Sequence, residues 1–125
     1  MCTPMTSKFT ELCIDSNNPR RIAPFWAAVL GYEITSNNED EVELTGPPGS
    51  GPKLLFLKVP EGKAVKNRLH IDVNATAGAD QTQELERLLA LGARKVDIGQ
   101  GPDVSWVVLA DPDGNEFCLL RGKVG

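Results

Sequence analysis

Along residues 9–15, Leu12 and Ile14 alternate with Glu11, Cys13 and Asp15, the period-two pattern of a half-buried strand. Asn18-Pro19 follows as a helix start, with Asn as N-cap and Pro at the first helical position. Ile22, Phe25, Trp26, Val29 and Leu30 then recur at the three-and-four spacing of a helix that buries one stripe. Gly31 offers the left-handed residue that ends it. Strand-like runs are expected at residues 32–35, 41–45 and 53–59, the last two joined by a Gly/Pro-rich loop over residues 46–52.

The pattern then repeats. Residues 60–68 read as a connection, after which Leu69, Ile71 and Val73 alternate with His70, Asp72 and Asn74. Asp80 and Gln83 form a capping-box signature, Leu85, Leu88 and Leu89 supply a second apolar stripe, and Gly92 closes that helix. Strands are predicted at residues 95–98, 105–109 and 116–120, with Asp111-Pro112-Asp113-Gly114 as the turn into the last. The two Leu-Gly helix ends lie 61 positions apart (92 minus 31), and Glu11 and His70 lie 59 apart (70 minus 11). Two copies of one strand-helix-three-strand unit imply two similar sheets with a functional space between them.

Alternation also sorts the faces. Leu12, Ile14, Leu55, Leu57, Leu69, Ile71, Val73, Phe117 and Leu119 are expected to pack beneath the helices. The opposite faces carry Glu11 and Cys13, Leu54 and Phe56, His70 and Asp72, and Glu116 and Cys118. A lining that mixes polar and apolar groups describes a ligand cavity better than a closed core.

Composition narrows the classes. A chain of 125 residues with 41% hydrophobic and 24% charged residues suits one globular domain, here residues 8–122, built from modules 8–59 and 69–121. The net charge of −4 and the lack of a basic stripe argue against nucleic acid as a partner. No apolar run is long enough to cross a bilayer, and no signal-peptide core is present. Residues 1–7 read as a tail. Cys2, Cys13 and Cys118 are too scattered for a disulfide framework, which points to reduced thiols and a cytoplasmic location.

Three stretches carry a family resemblance. They are Asn18-Pro19 with Phe25-Trp26 and Leu30-Gly31-Tyr32, then residues 66–72 (KNRLHID), and then residues 110–118 (ADPDGNEFC). Together they resemble the glyoxalase/bleomycin-resistance/dioxygenase (vicinal oxygen chelate) superfamily, in particular its glyoxalase-like domain branch. The resemblance implies an α+β fold of two tandem βαβββ modules forming a half-barrel-like cavity, and pairing as a homodimer. It also implies metal positions at Glu11, Phe56, His70 and Cys118. Phe56 cannot ligate, and a thiol at 118 replaces the carboxylate that glyoxalase chemistry needs. A single His excludes the two-His iron triad of an extradiol dioxygenase.

Two readings of the site stay open. Glu11, His70 and Cys118 could hold a divalent metal, zinc if the thiolate ligates, with an open fourth position. Alternatively no metal is bound, and His70 is a neutral cavity residue oriented by Asp72. Either way His70, Glu11 and Asp72 are the candidate catalytic groups. Phe56, Leu54, Trp106 and Cys118 are candidate ligand contacts, and Arg68, with Lys66 nearby, is a candidate receiver for an anionic group. The expected function is that of a lyase or isomerase on a small oxygenated metabolite; the alternative is a protein that sequesters a small molecule without chemistry.

Overall fold

The computed structural model describes residues 4–124, so Cys2 and the start of the expected tail lie outside the described residues. The first module runs β1 (Glu11–Ser16), α1 (Pro19–Leu30), β2 (Glu33–Asn37), β3 (Glu41–Thr45) and β4 (Lys53–Lys58). The second runs β5 (Ile71–Ala75), α2 (Gln81–Leu91), β6 (Arg94–Lys95), β7 (Val107–Ala110) and β8 (Glu116–Lys123). The sheets have equivalent orders, β1-β4-β3-β2 and β5-β8-β7-β6. In each, the first strand pairs in parallel with the last and the remaining pairs are antiparallel. This is an α+β fold of two four-stranded mixed sheets, not a closed barrel.

The helix signals act largely as read. Asp80 caps α2 through a full capping box, its carboxylate accepting from Gln83 N–H while the Gln83 side chain accepts from Asp80 N–H. Asn18 makes no side-chain cap; its carbonyl starts α1, and the Ser16 hydroxyl accepts from Asn18 N–H instead. Gly31 and Gly92 end the helices in the left-handed region, with φ of 69° and 118°. Ile22, Phe25, Trp26 and Val29 are buried on α1, whereas α2 buries Leu88 and leaves Leu89 exposed, against expectation.

One core spans both modules. Trp26 of α1 meets Phe117 of β8 edge-on with ring centroids 5.0 Å apart, and its indole N–H donates to Asp111 at 2.8 Å. Asp113, in the same turn, accepts from Ser16 at 2.6 Å and pairs with Arg21. The turn before β8 thereby ties the second module to the start of α1.

Three expectations need correction. Leu54 and Phe56 do not face a cavity: they pair across the ladder with Leu12, Ile14, Val42 and Leu44; Leu54, Phe56, Val42 and Leu44 belong to the core, and the partly buried Leu12 and Ile14 pack against it. Leu55 and Leu57 take the outer face. The run Leu54-Leu55-Phe56-Leu57 has no polar beat of its own, and a one-residue slip exchanges the two faces. Leu69 lies before β5 and is 81% exposed, not part of the core. The strand expected at residues 95–98 shrinks to two residues, because the Gln100 side chain takes Ile98 N–H and Asp97 takes Gly99 N–H.

Candidate functional site

On the outer face of the second sheet, Asp72 of β5, Cys118 of β8 and Val108 of β7 stand in one row across the ladder. His70, just before β5, reaches back so that its Nε2 lies 3.0 Å from Asp72 Oδ1. One donor atom from each of His70, Asp72 and Cys118 falls within 4.8 Å of the others. Above this row lies a cavity of about 360 Å³, walled by Trp106, Val108, Leu120, Ile98 and the connection residues Lys66 and Asn67. Its size sits at the small end of ligand sites.

Glu116 shapes one wall. Its carboxylate accepts from Asn67 N–H at 2.8 Å and from the Lys63 ammonium at 2.9 Å, so β8 holds the connection against the sheet. Partial burial alone would raise the Glu116 carboxyl, but those bonds outweigh it and hold the group below its ordinary range. The Cys118 thiol moves the other way. Burial pushes it up, the Asp72 charge adds to the rise, and Lys66 offsets part of it. At neutral pH Cys118 is therefore a thiol, not a ready nucleophile.

The structure brings together four of the residues singled out in the sequence: His70, Asp72, Cys118 and Trp106. Glu11 is elsewhere, exposed at the edge of the first sheet beside Lys53. Arg68 lines a second, larger cleft of about 1020 Å³ near β1 and β5, walled by Leu12, Ile14 and Val65 among others. Phe56 and Leu54 line neither space. Val108 and Leu120 are lining residues absent from the sequence-based candidates, and Lys66 stands among them only as a neighbour of Arg68. Alternation from Cys118 would have found Leu120, and Val108 needed the pairing of β7 with β8.

A metal was expected on Glu11, His70 and Cys118; the cluster that exists replaces Glu11 with Asp72. Imidazole, carboxylate and thiolate form a donor set that suits zinc with a fourth position open. An ion there would have to displace the thiol proton and separate the His70–Asp72 pair. The residues fit the group.

A duplicated βαβββ frame with a polar-centred cavity on one sheet defines a vicinal oxygen chelate protein. The chain belongs to the glyoxalase-like domain family, whose pattern matches residues 11–120. Among curated proteins, none matches the sequence. Solved structures share the fold at low identity. A fosfomycin resistance protein from Listeria monocytogenes superposes with a TM-score of 0.71 at 16% identity, covering 96% of each chain. The bleomycin-binding protein of Streptomyces verticillus does so with a TM-score of 0.61 at 14% identity, covering 96% of this chain and all of that one. A glyoxalase-related enzyme from Fulvimarina pelagi gives 0.64 at 19% identity, covering 91% of this chain and 87% of that one. No helix among the described residues is long and apolar enough to cross a membrane.

Proposed function

We propose that this protein is a lyase or isomerase acting on a small oxygenated metabolite in the cavity of the second sheet. The observation that carries the reading is the close approach of His70 Nε2 to Asp72 Oδ1, 3.0 Å, at the wall of that cavity. Asp72 stands beside the imidazole, and His70 can take a proton from a bound ligand and return it. Cys118 and Val108 form the floor on which the ligand rests. His70, Asp72 and Cys118 would hold a zinc-class ion, which when bound polarises a ligand oxygen. A true glyoxalase or an extradiol dioxygenase is not proposed, since the required ligand sets are missing.

A second reading has its own support. Trp106 is 39% exposed beside the cavity, an aromatic surface suited to holding a planar molecule without chemistry. A protein of the same fold is described as binding bleomycin. Either role is compatible with a cytoplasmic protein whose Cys13 and Cys118 are free thiols. Two copies would pair along β1 and β5, outer strands of their sheets, where the exposed Val65 and Leu69 seek cover.

Turnover and binding separate the readings. The purified protein is assayed for metal content and incubated with a panel of hydroxy- and oxo-metabolites and antibiotics, product being followed by mass spectrometry. Catalysis predicts conversion of one metabolite and a loss of at least about 100-fold in His70→Ala. A ligand that binds, is never converted, and keeps its affinity in His70→Ala transfers the reading to sequestration.

A further inference from the structure

We propose that the ligand of this cavity is a small, flat carboxylate, its anionic group held by Lys66 and its planar body laid on Trp106. This rests on the reading of the second-sheet cavity as the functional site.

The charged groups at the cavity are Lys66, Asp72, Glu116 and, when protonated, His70. Glu116 is committed to Lys63 and to the Asn67 N–H. Asp72 is committed to His70. Lys66 alone is unspent: among the described residues it forms no ion pair, and its ammonium makes only a 3.4 Å bond to the Asn67 carbonyl. An ammonium at a partly enclosed wall attracts an anion more strongly than one in open water.

Its position is not left to chance. Glu116 grips the backbone N–H of Asn67, the next residue, and so fixes the stem of Lys66 at the cavity wall. Lys66 and Cys118 line the same cavity, the one from the connection and the other from β8. Arg68 has the same sign but lines only the larger cleft, whereas Lys66 lines both spaces.

The remaining walls decide the body of the ligand. Trp106, Val108, Leu120 and Ile98 offer an aromatic plane and aliphatic surface with no further charge. A space of about 360 Å³ admits one ring or an unsaturated chain and little more. A carboxylate at Lys66 and a planar body on Trp106 leave the ligand's interior carbons and oxygens toward His70. A cationic ligand would meet the free ammonium and find Glu116 already hydrogen-bonded and Asp72 already paired with His70.

Matched acids and amides test this on the full chain. Benzoate and cinnamate are compared with benzamide and cinnamamide by calorimetry, with NMR of the labelled protein to locate binding. Each acid should bind about tenfold tighter than its amide at low salt. The gap should shrink at about 0.5 M sodium chloride. Lys66→Gln should close the gap and leave the amide's affinity alone, and Trp106→Ala should weaken acid and amide together. Lys66 is exposed, so its replacement leaves the fold intact, which thermal unfolding checks. The proposal is overturned if the gap survives in Lys66→Gln, or if amides bind as tightly as acids. Those outcomes leave the cavity reading standing; failure of every probe and every panel compound to bind overturns both.

Discussion

The two modules share one topology and have opposite outer faces. In the first, the middle row across the sheet is Cys13, Leu55 and Glu43; in the second, the equivalent row is Asp72, Cys118 and Val108. The first face is a solvated ladder, with Glu43 near Lys53 and hydrogen-bonded to Thr35. The second is a cavity holding an imidazole, a carboxylate and a thiol. Inner faces are alike because both must bury apolar residues under a helix. Duplication thus preserves what packs and frees what does not, and chemistry collects on one copy alone.

The comparison depends on the register that makes Leu55, not Phe56, the counterpart of Cys118. Phe56 is fully buried, so Phe56→Ala should cost about 4 kcal/mol. Leu55 is half-buried on the outer face, and Leu55→Ala should cost only about 1 kcal/mol. Urea denaturation of the two variants measures both. Equal losses, or a larger loss at Leu55, would reverse the faces of the first sheet and return Phe56 to the cavity.

That same register explains what could be read from the chain. Polar beats in Glu11-Leu12-Cys13-Ile14 and His70-Ile71-Asp72-Val73 fixed the inner faces of β1 and β5 correctly, and helix caps gave the repeat. β4 offered four apolar residues in a row, so its face was decided by pairing with Val42 and Leu44, which no local pattern contains. With that face reversed, Phe56 is matched to Cys118, while Glu11 is assigned to the metal by the resemblance, as the first-strand counterpart of His70. His70, Asp72 and Cys118 were legible because alternation puts them on one side. Lys66 was legible only as a neighbour of Arg68, because a residue in an irregular connection is positioned through Asn67 by Glu116, a contact 49 residues away in sequence (116 minus 67).

A second difference between the modules lies in their turns. The turn before β8 carries Asp111, 1% exposed, which accepts from Trp26 and from the backbone N–H groups of Asp113 and Asn115. The loop before β4 has no such buried acid. Asp111→Asn places an amide where the carboxylate meets donors on both sides, and should cost about 2 kcal/mol. Burial is the main cause that raises the Asp111 carboxyl above its ordinary value, against the hydrogen bonds from Trp26, Asn115 and Asp113. For a raised carboxyl, the stabilisation is complete below the unfolded value, near pH 4, and is lost as pH climbs through the folded one. The stability gap between wild type and Asp111→Asn should therefore narrow as pH rises through that window. A gap that widens would mean that the bonds to the carboxylate outweigh its burial.

The smallest effect sets one carboxylate on each outer face against the other. Glu43 is paired at 3.7 Å with Lys53, and its Thr35 bond can be kept by an amide oxygen. Glu43→Gln should change stability by less than about 0.3 kcal/mol, the usual worth of such a surface pair. Glu116 holds Lys63 at 2.9 Å and the Asn67 backbone with largely shielded side chains, and Glu116→Gln should cost about 1 kcal/mol at pH 7. Glu116 has a lowered carboxyl, so its contribution is present above the ordinary carboxyl value and lost as pH falls through the folded value. Acid titration of stability should show that loss in wild type and in Glu43→Gln, and not in Glu116→Gln. The Glu116→Gln variant should also bind carboxylates less tightly, because the released connection no longer aims Lys66. If both substitutions behave alike, the second face is as loosely held as the first, and the cavity owes nothing to the clamp.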